Sequence, residues 1–338
     1  MDIALNDLDR KIWEEELADL VPQTVYDAHT HVYDTRAAAA KTEHVTFSAE
    51  WSLSTWALLD QADAALFPGR TMHRLAFGNP LQKEGSLEPS HALPAREVAR
   101  DPASAGLAVV RPNVAPEELA QQLDRHGFLG VKPYRVHAVT GDEVECRITD
   151  YFPEAQIEVL DRRGGIVMLH LSKRAAIGDP ENLEDLERLT ARYPRVQWVL
   201  AHCARSYYDR PLLRAAERLR RMPNLWYEIS SVCDSDAMDA LLSIAGADRV
   251  MYGSDDLPVS VLRGKYLTFG HAWCYLNETN HRFDLSHCDG RMTFTRYESL
   301  RALGRACRRH GFGRAETERI FCANARRLIE QARAARRA

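Results

Sequence analysis

The stretch PEAQIEVLDRRGGIVMLH, residues 153–170, decides the fold because it joins a helix signal to a buried-strand signal. Pro153 opens the helical part, and Gly164 with Gly165 ends it, which is the usual punctuation of an α-helix. The apolar run IVMLH at 166–170 then lacks polar alternation, as expected of a strand that is buried on both faces of a parallel sheet. A helix followed by a buried strand is the repeating unit of an α/β fold.

The same alternation runs along most of the chain. Helix patterns occur at 116–127, 153–165, 180–193, 211–221, 235–246, 295–310 and 314–335. Predicted strands lie at 24–28, 73–78, 107–111, 129–132, 166–170, 196–201, 225–229 and 249–252. Eight strands in regular alternation with helices predict a (β/α)8 TIM barrel, with an open doubly wound sheet as the alternative.

Two stretches exceed the minimal barrel unit. Residues 33–70 follow the first strand and residues 256–294 follow the eighth, so both insertions leave the C-terminal ends of strands, where barrel enzymes place their active sites. Extra helices follow the last strand. We therefore predict one domain over 1–338, with the barrel core at about 24–330.

Composition limits the partners of the protein. The 338 residues carry a formal net charge of -4, which favours neither nucleic acid nor an anionic membrane surface. No apolar run approaches the roughly 18–20 residues of a membrane span. Seven cysteines without a CxxC pair indicate reduced thiols. We expect a cytoplasmic enzyme with an anionic small-molecule substrate; whether it forms a homo-oligomer stays open.

Metal-ligating side chains stand where the predicted strands end. His29 and His31 are two residues apart, so both imidazoles lie on one side of an extended segment. His170 ends the fifth strand, His202 follows the sixth and Asp255 follows the eighth. Neutral imidazole and carboxylate are good ligands for Zn²⁺ and related ions. We predict that these side chains share a divalent metal site at one mouth of the barrel.

The ordered motifs DAHTH, VMLH, VLAHC and YGSD resemble the strand signatures of the amidohydrolase superfamily. More narrowly, they resemble its branch of lactonases and carboxyvanillate- and aminocarboxymuconate-type decarboxylases. The resemblance implies a divalent metal, zinc in the first place or manganese, held by the first-strand histidine pair, His170 and Asp255. It also implies that His202 acts beside this metal or ligates a second one; we favour one ion.

Lys132 ends the fourth predicted strand. Binuclear members of the superfamily carry a bridging carboxylated lysine at this position. An unmodified lysine that binds a substrate carboxylate is the alternative that we favour, and a structural salt bridge is a third. A Schiff-base lyase that uses Lys132 ranks lower because it leaves the ligand-like residues without a purpose.

Further cations follow the strand ends. Arg135, Lys173, Arg174 and Arg205 each stand a few residues past a strand, and arginine suits bidentate capture of a carboxylate. We predict that they bind a carboxylate-bearing substrate.

The predicted reaction is hydrolysis of a lactone, ester or amide by a metal-activated water. Asp255 would act as the general base and then as the acid, and His202 would stabilise the oxyanion. Nonoxidative decarboxylation of an aromatic or unsaturated acid uses the same site and is the main alternative. A non-enzymatic metal-binding protein is the remaining class.

Overall fold

A computed structural model describes residues 3–36 and 45–337 and shows an eight-stranded parallel barrel. Its strands are β1 (Thr24–His31), β2 (Thr71–Phe77), β3 (Ala105–Val110), β4 (Gly130–Pro133), β5 (Ile166–Leu169), β6 (Gln197–Leu200), β7 (Leu225–Glu228) and β8 (Val250–Met251). Each strand pairs in parallel with the next one along the chain. Backbone hydrogen bonds from Ala28 N to Tyr252 O and from Asp255 N to His29 O, both 2.9 Å, close the barrel. The predicted (β/α)8 fold is confirmed.

Helices surround the barrel at nearly the predicted positions. The α-helices are Asp7–Ile12, Trp56–Leu66, Glu88–Val98, Pro116–His126, Ile148–Tyr151, Glu154–Arg163, Pro180–Arg192, Asp209–Arg220, Ser235–Ala245, Thr295–Arg309, Arg314–Glu318 and Asn324–Arg337. Helix Pro116–His126 shows why the sequence signals worked: proline occupies its first turn, and Gly127 caps its end at φ +71°. None of the helices in the described ranges has the length and apolar character needed to cross a membrane.

The core fills the barrel and the layer between its strands and helices. Side chains of β4, β5 and β6 are buried on both faces, for example Val131, Val167 and Val199. Burying each such aliphatic side chain contributes about 1.5–3 kcal/mol. Strands β4 and β5 approach so closely that a Cβ at Gly130 would lie 1.9 Å from the carbonyl oxygen of Ile166. Only glycine fits there.

The two insertions build the walls around the C-terminal mouth of the barrel. In the first, Tyr33–Asp34 pairs antiparallel with Leu53–Ser54 before helix Trp56–Leu66 begins. In the second, Lys265–Phe269 and Ala272–Leu276 form an antiparallel hairpin. The sequence predicted the place of both insertions but not their internal structure.

A buried ion network anchors the loop that follows β8. Arg296, 1% exposed, contacts Asp256 in that loop and lies 2.6 Å from Asp63 on helix Trp56–Leu66. Arg74 on β2 is also paired with Asp63. Removing one partner from such a network leaves an uncompensated buried charge, which is strongly destabilising. The network therefore fixes the backbone next to Asp255.

Candidate metal centre

A cavity of about 200 Å³ opens at the C-terminal ends of the strands. Of the residues predicted for the site, it is lined by His29, His31, Lys132, Arg135, His170, His202, Arg205 and Asp255. The cavity is smaller than the roughly 300–1,000 Å³ of sites for drug-sized ligands, so it suits a small substrate.

His29, His31 and Asp255 offer ligand atoms that all lie within 4.8 Å of one another. Asp255 Oδ1 is 3.2 Å from His29 Nε2 and 3.2 Å from His31 Nε2. Two atoms that bind one zinc tetrahedrally at about 2.0–2.1 Å lie roughly 3.3 Å apart. The observed spacing therefore fits a divalent metal between these three side chains.

The hydrogen bonds of His29 and His31 engage Nδ1 of each ring and leave Nε2 free to bind a metal. His29 Nδ1 lies 2.8 Å from Glu228 Oε1, and His31 Nδ1 lies 3.3 Å from the carbonyl oxygen of Gly78. Because both partners are acceptors, each Nδ1–H donates and each Nε2 keeps its lone pair for a metal. Burial, followed by the charge of Lys132, lowers the pKa of His29 to about 4, so this ligand is neutral at neutral pH.

Asp255 is held in place from two sides. Its backbone is left-handed at φ +65°, a conformation that persists in a non-glycine residue only where the surroundings impose it. Ser231 Oγ donates to Asp255 Oδ2 at 2.8 Å, which leaves Oδ1 toward the histidines.

His170 lines the same cavity at a greater distance from that trio. Its ring centroid is 5.2 Å from that of His202 and 4.7 Å from that of Tyr134. Its Nδ1 lies 3.1 Å from the carbonyl oxygen of Leu171, which again leaves Nε2 available. His170 does not belong to the group whose ligand atoms lie within 4.8 Å of one another, so its role as a ligand stays a prediction.

His202 occupies an unusual backbone segment. Residues 202–205 all have φ between +51° and +57°, which makes a left-handed turn directly after β6. This turn directs both His202 and Arg205 into the cavity. His202 Nδ1 lies 3.1 Å from the carbonyl oxygen of Ser230 and 2.9 Å from its hydroxyl. Since a hydroxyl can donate or accept, Ser230 accommodates a proton on either nitrogen of His202.

The sequence interpretation missed Glu228, which ends β7. This fully buried carboxylate accepts hydrogen bonds from His29 Nδ1, from His202 N at 2.8 Å and from Ser230 N at 2.7 Å. Burial alone would raise the pKa of Glu228, but His29 and these donors lower it to about 2. An acidic residue inside the apolar run LWYEI, 225–229, was the available signal.

The predicted cations divide into two groups. Lys132 is 1% exposed, and its ammonium lies 5.0 Å from the ring centroid of Phe77. Burial lowers the pKa of Lys132 to about 8. Arg135 and Arg205 also line the cavity.

Lys173 and Arg174 lie elsewhere and do not join the cavity lining that the described residues form. Lys173 Nζ donates to the carbonyl oxygen of Glu145 at 2.8 Å and pairs with Glu181. Arg174 is 84% exposed and lies 3.3 Å from Glu145. The loop after β5 turns at Lys173, whose φ is +64°, and carries both side chains away from the mouth.

Comparison of the sequence with models of protein families identifies the family of this chain. The amidohydrolase family model matches residues 26–330, the barrel with both insertions. The chain belongs to the amidohydrolase family. This confirms the resemblance drawn from the strand-end motifs. The same comparison places the protein in a family of enzymes that act with a divalent metal.

Solved structures show that this amidohydrolase shares its fold with distant relatives. An amidohydrolase from Burkholderia multivorans with bound zinc is 16% identical, with a TM-score of 0.57 over 91% of this chain and 99% of that one. A candidate 2-pyrone-4,6-dicarboxylic acid hydrolase from Pseudomonas putida is 17% identical, with a TM-score of 0.56 over 92% and 99%. The 5-carboxyvanillate decarboxylase from Sphingomonas paucimobilis is 15% identical, with a TM-score of 0.58 over 91% and 99%. A search of curated proteins finds no match.

One wall of the amidohydrolase cavity is aromatic, and the second insertion contributes two of its three rings. Trp273 on the hairpin stacks on Tyr207 with ring centroids 4.2 Å apart, and Tyr266 lies 4.8 Å from Tyr207. All three rings line the cavity together with its charged groups. A ligand in this cavity therefore meets aromatic as well as cationic side chains.

Proposed function

We propose that this amidohydrolase is a metal-dependent hydrolase that cleaves a small carboxylate-bearing lactone, ester or amide. The observation that carries the proposal is the geometry of Asp255. One carboxylate oxygen lies 3.2 Å from both histidine Nε2 atoms, while the other accepts a hydrogen bond from Ser231. Asp255 is thus held beside the atoms that would bind the metal, which supports its role in taking a proton from the attacking water.

The side chains divide the remaining work. A single zinc or manganese ion at this site would acidify water and polarise the scissile carbonyl when bound. Asp255 would accept the water's proton and return it to the leaving group. His202, whose Nδ1 is held by the carbonyl oxygen and the hydroxyl of Ser230, would hydrogen-bond the carbonyl oxygen of the substrate as negative charge develops.

Arg135 and Arg205 would hold the carboxylate of the substrate. Both guanidinium groups line the cavity and are partly buried, which strengthens a charge-assisted hydrogen bond. Lys173 and Arg174 have no place in this proposal because their side chains bind Glu181 and Glu145 outside the cavity.

Nonoxidative decarboxylation is the second candidate, and the aromatic wall favours it. Tyr207, Tyr266 and Trp273 would suit the flat ring of an aromatic acid. Against this candidate, two guanidinium groups would grip the carboxylate that must leave as neutral CO₂.

Oxygen-18 labelling separates the two reactions. The zinc-loaded protein would be incubated in labelled water with sugar-acid lactones, carboxylated amides and aromatic acids. We expect one label to enter each product acid and no CO₂ to be released. The same protein stripped of metal serves as the control. Release of CO₂ without incorporation of the label would replace hydrolysis by decarboxylation and leave the family assignment intact.

A further inference from the structure

Three cations line the cavity, and no carboxylate in the described part of the chain forms an ion pair or hydrogen bond with any of them. Lys132 Nζ makes no hydrogen bond to any residue within 3–36 or 45–337. Arg135 donates to the carbonyl oxygen of Glu143 at 2.6 Å, and Arg205 donates to the carbonyl oxygen of Lys173 at 2.5 Å. Main-chain carbonyls orient both guanidinium groups but do not neutralise them. In the described part of the chain, neither arginine pairs with a carboxylate.

The two carboxylates of the site are already engaged. Asp255 faces His29 and His31 and accepts from Ser231, and Glu228 accepts three hydrogen bonds. A metal at the trio would add further positive charge. Because an unpaired buried charge is costly, this excess of cations is relieved when an anionic ligand enters.

The cations lie at two depths. Lys132 is 1% exposed at the end of β4, between the rings of Phe77 and Tyr134. Arg135 and Arg205 are more exposed and stand in the loops after β4 and β6. Burial, followed by the charge of Arg135, lowers the pKa of Arg205, so the two guanidinium groups lie near each other. The arginines therefore form one cationic group near the mouth of the cavity, and the more deeply buried Lys132 lies at its floor.

We propose that the substrate carries two separate anionic groups, one bound by Arg135 and Arg205 near the mouth and the other reaching Lys132 at the floor. The cavity volume of about 200 Å³ limits this ligand to a small dicarboxylate or an equivalent dianion. The inference rests on the proposed function only in placing the substrate in this cavity. The charge of the substrate inferred here is independent of whether the reaction is hydrolysis or decarboxylation.

Matched pairs of acids test the proposal by isothermal titration calorimetry, on both zinc-loaded and metal-free protein. Glutarate is compared with butyrate, and isophthalate with benzoate. We expect at least one diacid to bind about tenfold or more tighter than its monoacid, as a second charge-assisted hydrogen-bonded contact would give. If every diacid binds no tighter than its monoacid, the proposal is overturned.

Variants then assign the two subsites. Arg135→Gln, Arg205→Gln and Lys132→Met should each reduce the diacid preference to about threefold or less, whereas Arg205→Lys should keep part of it. Arg174→Gln is the matched control, because Arg174 is exposed and outside the cavity. Thermal melts verify that each variant is folded. A preference that survives all three substitutions would also overturn the proposal.

The two proposals fail separately because binding needs no turnover. A diacid preference combined with CO₂ release would reject hydrolysis and keep the dianionic substrate. Oxygen-18 incorporation without a diacid preference would keep hydrolysis and reject the dianionic substrate.

Discussion

Glu228 Oε1 lies 2.8 Å from His29 Nδ1, so a fully buried carboxylate on β7 orients a candidate metal ligand on β1. The same oxygen accepts the backbone N–H of His202 at 2.8 Å. The side chain of Glu228 therefore positions both a candidate metal ligand, His29, and the backbone of the proposed catalytic residue His202. Carboxylates that hold metal-bound histidines in this way fix the tautomer and raise the basicity of the ligand.

Glu228→Gln should weaken zinc binding by about 10–100-fold. The amide has one acceptor oxygen in place of two, so it cannot satisfy His29 together with the N–H groups of His202 and Ser230. Competition with a chromophoric chelator measures the zinc affinity. Glu158→Gln, on the exposed face of helix Glu154–Arg163, is the control and should bind zinc as the wild type does. Unchanged zinc affinity in Glu228→Gln would remove its positioning role.

Replacing a predicted ligand should remove the metal. His29→Ala and His31→Ala should each lose most of the bound zinc and all detectable turnover, and His170→Ala tests whether the more distant histidine belongs to the shell. Elemental analysis gives the metal content per chain. His73→Ala is the control, since His73 pairs with Asp101 at 2.8 Å and does not line the cavity. Full zinc occupancy in His29→Ala would refute the ligand set.

The sequence predicted the barrel because its signals are local. Each buried strand is an apolar run, and each helix carries its own start and stop residues, as Pro116 and Gly127 illustrate. Once a barrel is predicted, histidines at the C-terminal ends of its strands are expected to meet at one mouth, so the candidate site could be predicted as well. The interior of the second insertion could not be predicted, because the pairing of Lys265–Phe269 with Ala272–Leu276 follows no strong local motif.

The supporting residues of the site were harder to predict than its ligands. Glu228 acts through a contact with His29, 199 positions away in the chain, and one sequence carries no signal for such a pair. The left-handed turn at 202–205 was equally hidden, because the segment HCAR contains no glycine to indicate positive φ. Lys173 was expected at the mouth, yet its own positive φ redirects it to Glu181.

His202→Asn should lower kcat by about 10²–10³ while most of the zinc is retained, as for the loss of one oxyanion donor. The amide of asparagine can keep the contacts that Nδ1 makes with Ser230, but it does not extend to the position of Nε2, which would donate to the carbonyl oxygen. Steady-state kinetics and zinc content are measured on the same sample. Loss of one equivalent from two per chain would instead indicate a second metal at His202, and an unchanged kcat would make its role structural.

Lys132→Met should stabilise the metal-free protein. The folded-state pKa of Lys132 is about 8, below its ordinary 10.5, chiefly because of burial. Between pH 8 and 10.5 the unfolded chain therefore binds more protons than the folded one, so the free energy of unfolding of the wild type rises with pH across this window. Below pH 8 the full penalty of burying the ammonium is present, about 3 kcal/mol for a shift of this size.

Methionine has a similar length and no charge. At pH 7 we therefore expect the free energy of unfolding to rise by about 2–3 kcal/mol, and to depend less on pH between 8 and 10.5. Urea unfolding at several pH values measures both effects, with the exposed Lys83→Met as the control that should change neither. The expectation is contradicted if Lys132→Met is less stable than the wild type, or if the slope of unfolding free energy against pH above pH 8 is unchanged. Either result would show that the ammonium has an anionic partner in solution.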